Sequence, residues 1–304
     1  MMESKSQQLI IRRVRYVTFY GMITNIFLSL LKGFGGIVFK SHALTADAIH
    51  SLSDLLTDII LIFGVKFWTA PPDELHPYGH GRIETLVSMF IGVLLGLVAF
   101  GLISDAVTVI EKGAECRPAM PAFVIAVLSI VMKEVLYHWT MRHSRALNSP
   151  ALKANAWHHR SDAISSIPVA AAIVLSHYFP NLKFIDPLGS ILVSLFILHA
   201  AWEILYPCLN EFSEAGSKDI TAEISRFASA FPGVKGVHAI RTRRLGSMYY
   251  ADLHVMVDPD LTVLKSHAIA HRLKMDILQA QIGVKDIIIH IEPFGAAKDP
   301  KGKK

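Results

Sequence analysis

The sequence contains little cysteine, and its first residues do not resemble a cleavable leader. Two cysteines occur in 304 residues. We expect Cys116 on the outer side and Cys208 at the inner end of apolar segments, so no disulfide joins them, and cysteine ligation of a metal is disfavoured. Met1–Gln8 is polar, and the apolar run that follows is longer than a signal-peptide core. We therefore expect no cleaved signal peptide.

The sequence also lacks a basic patch, although its formal net charge is +5. Lysine and arginine lie at the ends of apolar runs without interleaved aromatics, which argues against nucleic-acid binding. One side holds Lys5, Arg12, Arg13, Arg15, Lys66, Arg82, Arg142, Arg145 and Lys153. The other holds Lys40, Lys112, Arg117 and Lys183, with Glu111 and Glu115 nearby. The positive-inside bias then places both termini in the cytoplasm.

What the chain has in abundance is apolar sequence, because 52% of its residues are hydrophobic. These residues concentrate in six runs long enough to cross a bilayer. After a cytoplasmic segment, residues 1–15, we predict a six-helix transmembrane domain over residues 16–206. The predicted spans are Tyr16–Phe39, His42–Trp68, Ile83–Ile110, Pro121–Thr140, Ala151–Tyr178 and Phe184–Tyr206.

The remaining sequence reads as a small globular domain. Helical and alternating patterns follow one another as αββαβ, which predicts a cytoplasmic ferredoxin-like α+β domain over residues 207–295 and a disordered tail over 296–304. The predicted elements are helix Lys218–Phe231, strands Val234–Arg244 and Met248–Val257, helix Leu261–Gln281 and strand Val284–Ile291. Leu245-Gly246-Ser247 separates the first two strands as a hairpin turn.

The second span is unusual because four ionisable residues share one of its faces. Asp47, His50, Asp54 and Asp58 follow one another at steps of three, four and four residues. At about 100° per residue these steps form a single stripe. One aspartate near the bilayer centre costs roughly 2.5–3.5 kcal/mol on insertion scales. Packing alone does not account for three of them.

The fifth span repeats this spacing with Asn155, His158, Asp162 and Ser166. Two facing helices would bring together His50, Asp54, His158 and Asp162, a tetrahedral nitrogen and oxygen set suited to a divalent metal. Two carboxylates balance one dication, which lowers the cost of burying it. The alternative is that neighbouring helices satisfy each polar group separately. Asp47 and Asp58 are either steps on the ion path or separately satisfied polar groups.

Other spans carry isolated polar groups. Asn25 in the first span favours a hydrogen bond between helices over a role in ion passage. Lys133 and Glu134 in the fourth span are adjacent and do not share a helix face. We interpret them as interfacial, or as paired with other helices. Pro168 predicts a kink in the fifth span beyond Asp162.

Two further groups of potential ligands lie outside the spans. The link TAPPDELHPYGHGR, residues 69–82, contains Asp73, His76 and His80. The C-terminal domain places His238, His254, His267, His290 and Glu292 on its strands and second helix. Exposed histidines are usually only solvated, so the pattern alone leaves both groups open between metal binding and solvation.

These segments together resemble the cation diffusion facilitator family. The resemblance covers about residues 12–293, and its motifs are specific in combination. They are SHALTADAIHSLSDLLTD in the second span, HPYGHG in the following link, NAWHHRSDAISS in the fifth span, and PGVKGVHAIRTR, DLHVMVDP and IIHIEP in the C-terminal domain. The resemblance implies a six-helix metal/proton antiporter with a cytoplasmic ferredoxin-like domain. It also implies a homodimer formed through that domain and the membrane helices.

Residue by residue, the resemblance implies three metal sites. The transport site is His50, Asp54, His158 and Asp162, and the loop site is Asp73, His76 and His80. The cytoplasmic sites match His238, His254, His267 and His290, with Glu292 where a relative carries aspartate. No prosthetic group is implied. The expected partners are divalent cations, protons and the lipid bilayer, and the expected location is the bacterial inner membrane.

The donor set narrows the choice of metal but does not reduce it to one. Two histidines and two aspartates favour Zn(II), and Cd(II) and Co(II) would fit the same donors. Relatives with aspartate in place of the second-span histidine lean toward iron or manganese, so Mn(II) or Fe(II) is the alternative cargo. The histidine-rich cytosolic loop of some zinc-vesicle members is absent from Arg142–Pro150.

Two other classes of protein compete with a transporter. An intramembrane metallohydrolase would need an open coordination position and a general base, and the sequence has no HExxH pair. A membrane scaffold that responds to metal without transporting it is compatible with the same motifs. Metal uptake into vesicles separates the scaffold from the transporter.

Overall fold

The computed structural model describes residues 2–113, 117–147, 149–179, 181–246 and 248–295, without the side chains of residues 2–15, 57, 58, 61, 62, 65, 150 and 151. The chain forms two compact units. The helical unit comprises Met1–Phe63 and Phe90–Ile204, and the sheet unit comprises Gly64–Met89 and Leu205–Lys304. The predicted C-terminal tail and Cys116 fall outside the described residues.

Seven helices precede the C-terminal domain in the described chain. They are α1 (Met2–Val38), α2 (His42–Trp68), α3 (Gly81–Glu111), α4 (Met120–Leu147), α5 (Pro150–Ser165), α6 (Ile167–Tyr178) and α7 (Ile185–Phe212). Among the stretches whose side chains are described, four are long and apolar enough to cross a membrane: Tyr16–Val38, Gly81–Glu111, Met120–Leu147 and Ile185–Phe212. The predicted second span is α2, and the predicted fifth span is divided between α5 and α6.

The helical unit has an apolar exterior and a polar interior. Large aromatic side chains are exposed on several helices, such as Phe34 at 64% and Phe100 at 69% of their surface. Lys32, Asp47 and Asp162 are instead buried. This distribution is the reverse of that in soluble proteins and suits an environment of lipid chains.

The fifth span breaks one turn beyond Asp162. The backbone N–H of Ser166 donates to the Asp162 carbonyl at 3.2 Å, and α6 then begins at Ile167 with Pro168 in its first turn. Proline has no N–H to donate to the preceding turn, so a continuous helix would lose a hydrogen bond here. The prediction of a kink at Pro168 therefore corresponds to an interruption between two helices.

The C-terminal domain is a three-stranded sheet with two helices. Its elements are α8 (Lys218–Ser229), β1 (Val234–Leu245), β2 (Met248–Val257), α9 (Val263–Gln279) and β3 (Val284–Pro293). The strand order is β1-β2-β3, with β1 and β2 antiparallel and β2 and β3 parallel. This arrangement confirms the predicted ferredoxin-like αββαβ fold, and each boundary differs from the prediction by two residues at most.

Alternation along the strands gives the sheet one covered face. Leu253 and Val255 of β2 are fully buried and pack with Ile224 of α8 and Leu273 of α9. Successive side chains of a strand point to opposite faces, so His254 lies on the face away from both helices. The hydrophobic core therefore fixes which face of the sheet presents its histidines.

Candidate metal sites

Within the helical unit, α2 and α5 bring three potential ligands together. One ligand atom each from His50, Asp54 and Asp162 lies within 4.8 Å of the others. His50 and Asp54 are one turn apart on α2, with Nε2 and Oδ2 separated by 3.9 Å. Asp54 Oδ2 is buried and makes no hydrogen bond to any described residue. An orphaned buried carboxylate oxygen is unusual, and a bound cation would satisfy it.

The fourth predicted ligand, His158, lies at the edge of this cluster. Its Nδ1 is 3.8 Å from Oδ1 of Asp162, which lies one turn after His158 on α5. The His158 side chain is 43% exposed, whereas that of Asp162 is 8% exposed. The cluster of nearest ligand atoms thus contains three of the four predicted residues, and the fourth neighbours one of them.

Lys133 of α4 also reaches this cluster. Its Nζ lies 2.6 Å from Asp162 Oδ2 and 2.7 Å from the side-chain oxygen of Asn25 on α1. Lys133 is 2% exposed, so the ammonium group is buried with its partners. The sequence indicated that this lysine either lay at the interface or was paired with another helix. Which carboxylate it would contact was not apparent from the sequence.

Asp47 is engaged in a separate buried network. Lys32 Nζ lies 2.8 Å from Asp47 Oδ2, and the Ser166 hydroxyl lies 3.1 and 3.0 Å from the two carboxylate oxygens. Lys32 also donates to the hydroxyls of Ser51 and Ser166. The network joins α1 and α2 to the break between α5 and α6. Asp58 lies on α2, but its side chain is outside the described residues.

His159, adjacent to His158, is turned toward α1. Its side chain is 1% exposed, and neither ring nitrogen has a hydrogen-bond partner among the residues described. A Cβ atom built on Gly21 would lie 3.3 Å from its Nε2, so the glycine leaves room for the ring. His159 is outside the group of ligand atoms formed by His50, Asp54 and Asp162.

The loop residues form a second cluster, in the sheet unit. Asp73, His76 and His80 each offer a ligand atom within 4.8 Å of the others. Asp73 contacts His76 Nδ1 at 3.1 Å and His80 Nε2 at 3.3 Å. The backbone N–H of His76 also donates to Asp73, and this bond is the main cause that holds the pKa of Asp73 below its ordinary value. The loop thus presents an ionised carboxylate beside two imidazoles.

A third cluster lies on the open face of the sheet. The ladder pairs His238 with His254 and His254 with His290, so the three imidazoles stand side by side across β1, β2 and β3. Glu292 follows two residues after His290 and shares its face. Its carboxylate lies 2.7 Å from both His238 Nε2 and His254 Nδ1, and 3.7 Å from His290 Nε2.

These contacts also affect the protonation of Glu292. Hydrogen bonds from His238 and then His254 hold its pKa below the ordinary value. The carboxylate is therefore ionised and oriented toward two imidazoles. A dication bound between these groups would replace the histidine donors as the partner of the carboxylate.

The single chain does not bring His267 to this cluster. His267 lies on α9, is exposed, and its ring contacts that of His271 with centroids 6.2 Å apart. Because α9 covers the opposite face of the sheet, His267 and the three strand histidines lie on different sides of the domain. The pattern of the sequence identified the residue types but not this separation.

The membrane helices with their buried aspartates and the histidine-bearing C-terminal domain define a multi-pass membrane protein for divalent metals. The family model described as the cation efflux transmembrane domain matches residues 18–212. The model described as the cation efflux protein cytoplasmic domain matches residues 217–294. The chain therefore belongs to the cation diffusion facilitator family of divalent metal efflux transporters. The resemblance noted in the motifs is thereby confirmed.

Individual relatives match along nearly the whole chain. An uncharacterized transporter of Methanocaldococcus jannaschii is 34% identical, over 92% of this chain and 99% of its own length. Metal tolerance protein C1 of Arabidopsis thaliana is 32% identical, over 90% of this chain and 61% of its own. The manganese efflux system protein MneP of Bacillus subtilis is 28% identical, over 92% of this chain and 96% of its own.

Proposed function

We propose that this protein exports a divalent metal, with Zn(II) as the leading cargo, from the cytoplasm in exchange for protons. The observation that carries the proposal is the cluster of the partly buried His50 and Asp54 with the buried Asp162, whose ligand atoms lie within 4.8 Å of one another. His158, 3.8 Å from Asp162, supplies the fourth ligand. Asp54 Oδ2, which is buried without a partner among the described atoms, is the oxygen that the metal would satisfy.

Proton exchange follows from the charge of this site. When no dication is bound, Lys133 pairs with Asp162 at 2.6 Å, and Asp54 is then a second, partly buried carboxylate that resists ionisation. A proton would therefore enter as the metal leaves, and the metal would displace it when it returns. Rocking of α2 and α5 against the remaining helices would present the site to each side in turn. Vesicle transport that ignores a pH gradient would contradict this coupling.

Manganese is the alternative cargo, and one finding favours it. A relative that matches 92% of this chain is named as a manganese efflux protein. The donor set favours zinc instead, because two imidazoles with two carboxylates suit tetrahedral Zn(II), whereas Mn(II) prefers more oxygen ligands. A panel of metals in one transport assay decides between them.

The clusters in the sheet unit would regulate the transporter. We assign metal binding to Asp73, His76 and His80 in the loop, and to His238, His254, His290 and Glu292 on the sheet. The chain would function as a homodimer with cytoplasmic termini, in which cytoplasmic metal draws the two C-terminal domains together. His267, which one chain leaves apart from the cluster, would join it only across that dimer.

The test is transport by the purified protein in sealed vesicles with Zn(II), Cd(II), Co(II), Mn(II) and Fe(II) supplied separately, with and without a pH gradient. We expect zinc uptake that rises with the proton gradient and is abolished by Asp54→Ala. The matched control is Glu203→Ala on α7, because His199 and Glu203 form a similar pair at 3.4 Å but are both exposed. If the native protein transports none of these metals, the alternative of a membrane scaffold that responds to metal without transporting it would be favoured.

A further inference from the structure

The position of Lys133 suggests a role in the transport site. We propose that Lys133 is an internal cation that occupies Asp162 when no metal is bound and competes with the transported ion for that carboxylate. The inference rests on the proposed function of the cluster. Lys133 has a positive charge like that of the cargo, so it tunes metal binding by competition and is not itself a ligand.

The contacts place the ammonium group within the site. Lys133 Nζ lies 2.6 Å from Asp162 Oδ2, and Asp162 is the α5 member of the ligand cluster. The second contact is to Asn25 Oδ1 at 2.7 Å. With Lys133 at 2% and Asp162 at 6% exposure, neither group has bulk water as an alternative partner. The ion pair is therefore an element of the buried site.

Charge then decides what happens when metal arrives. Asp54 and Asp162, if ionised, carry two negative charges, and Lys133 carries one positive charge. A dication that joined all three would leave one excess positive charge in a low-dielectric interior, which is costly. The dication and the ammonium group therefore compete for the negative charge of Asp162, and the ammonium gives up its contact with Oδ2 when the metal binds there. Asn25 contacts the same ammonium and provides an oxygen to which it stays bound.

This competition would serve release and selectivity. Displacing Lys133 from Asp162 costs free energy, and this cost lowers the affinity for the metal. When the ammonium group returns to Asp162, it helps the metal to leave. A monovalent cation that replaced the ammonium at Asp162 would leave the charge of the site unchanged. A dication would add one positive charge and so would be attracted more strongly to the carboxylates. Lys133 thus favours divalent cargo at the cost of tight binding.

A second buried lysine supplies the comparison. Lys32 lies 2.8 Å from Asp47 and is 0% exposed, but Asp47 is not among the clustered ligand atoms. Lys32→Gln and Lys133→Gln remove the same charge from the same kind of buried ion pair. Only the second substitution frees an oxygen of the proposed transport site.

The experiment measures Zn(II) affinity of the full-length protein in detergent and KM and kcat of zinc transport in vesicles. For Lys133→Gln we expect affinity to rise at least about tenfold, because a neighbouring opposite charge changes proton affinity of a carboxylate by roughly ten- to thousandfold. KM and kcat should both fall, since release is slowed. Lys133→Arg should restore values near those of the native protein, and Lys32→Gln should not tighten binding.

Two results would overturn the inference. One is zinc affinity in a folded Lys133→Gln protein that equals or falls below the native value, and the other is equal tightening by Lys32→Gln. If Lys133→Gln does not fold, Asn25→Ala provides the test: zinc should bind more weakly, because the displaced ammonium loses its partner, and unchanged affinity would contradict the proposal. A native protein that transports no metal refutes the proposed function instead, so the two failures are distinct.

Discussion

At the scale of single residues, Glu292 shows how one carboxylate contacts several imidazoles. Glu292 contacts His238 and His254 at 2.7 Å each, and it can do so because β3 places it on the face that carries those histidines. An ionised carboxylate between two imidazoles is arranged for a dication, although hydrogen bonds alone also satisfy it. Substitutions that change its charge while preserving its shape can separate these roles.

We expect Glu292→Gln to weaken zinc binding at the cluster on the open face of the sheet by at least about tenfold, because the amide keeps the shape of the side chain but loses the negative charge that a zinc ligand supplies. Zinc titration of the full-length protein measures this, with the transport site disabled by Asp54→Ala in every sample. The matched control is Asp252→Asn, which alters a carboxylate two residues before His254 on the same face of β2. Equal losses in both variants would contradict the assignment.

The low pKa of Glu292 also predicts a pH dependence. Below its ordinary pKa the unfolded chain takes up a proton that Glu292 in the folded protein does not, so the stability that this carboxylate contributes is fully present above the ordinary pKa and falls progressively as the pH drops toward the lower folded value. We expect the Glu292→Gln protein, which lacks this contribution, to lose less of its free energy of unfolding than the native protein between neutral and acidic pH. Denaturant unfolding of metal-free samples across this range measures the difference, and Asp252→Asn is the control that should behave like the native protein. Equal losses in the native and Glu292→Gln proteins would contradict the prediction.

At the scale of elements, sequence patterns predicted the strands and helices more fully than the contacts between them. The alternation in Met248–Val257 identified β2 and its polar face, because a half-buried strand has a strict period of two. Spacing on α2 and in Ala151–Tyr178 predicted that Asp54 and Asp162 meet, and one ligand atom of each lies within 4.8 Å of the other. Neither pattern could show that Lys133 joins them, because that depends on how α4 is rotated against α5. The separation of His267 depends similarly on packing of α9.

The interruption between α5 and α6 leads to a prediction about stability. We expect Ser166→Ala to lower the free energy of unfolding by about 1–3 kcal/mol, because Lys32 and Asp47 stay buried after losing a hydroxyl partner. Thermal unfolding in detergent measures the effect. Ser194→Ala is the control, since this hydroxyl is equally buried but donates only to Ser190 one turn back in the described structure. A loss no greater than that of the control would show that the network adds little.

At the scale of the whole molecule, transport and sensing would lie in different units. The cluster of His50, Asp54 and Asp162 belongs entirely to the helical unit, and the loop cluster and the cluster on the open face of the sheet belong to the sheet unit. A site on the open face of a small sheet is suited to sensing because its ligands are accessible from solvent, as the 46% exposure of His238 indicates. If His267 of a second protomer completes the coordination, metal binding is coupled to the approach of the two C-terminal domains.

This linkage predicts a metal-dependent distance between protomers. A spin label on exposed α9, introduced by Lys265→Cys in a chain whose native cysteines are replaced by serine, gives one distance per homodimer. We expect zinc to shorten and narrow the distance distribution relative to chelated protein, because ligands from both domains converge on the metal. The response should persist in Asp54→Ala, which disables only the transport site, and disappear in Glu292→Gln. A distribution that zinc leaves unchanged would remove the regulatory role of the C-terminal domain while leaving transport through the helical unit intact.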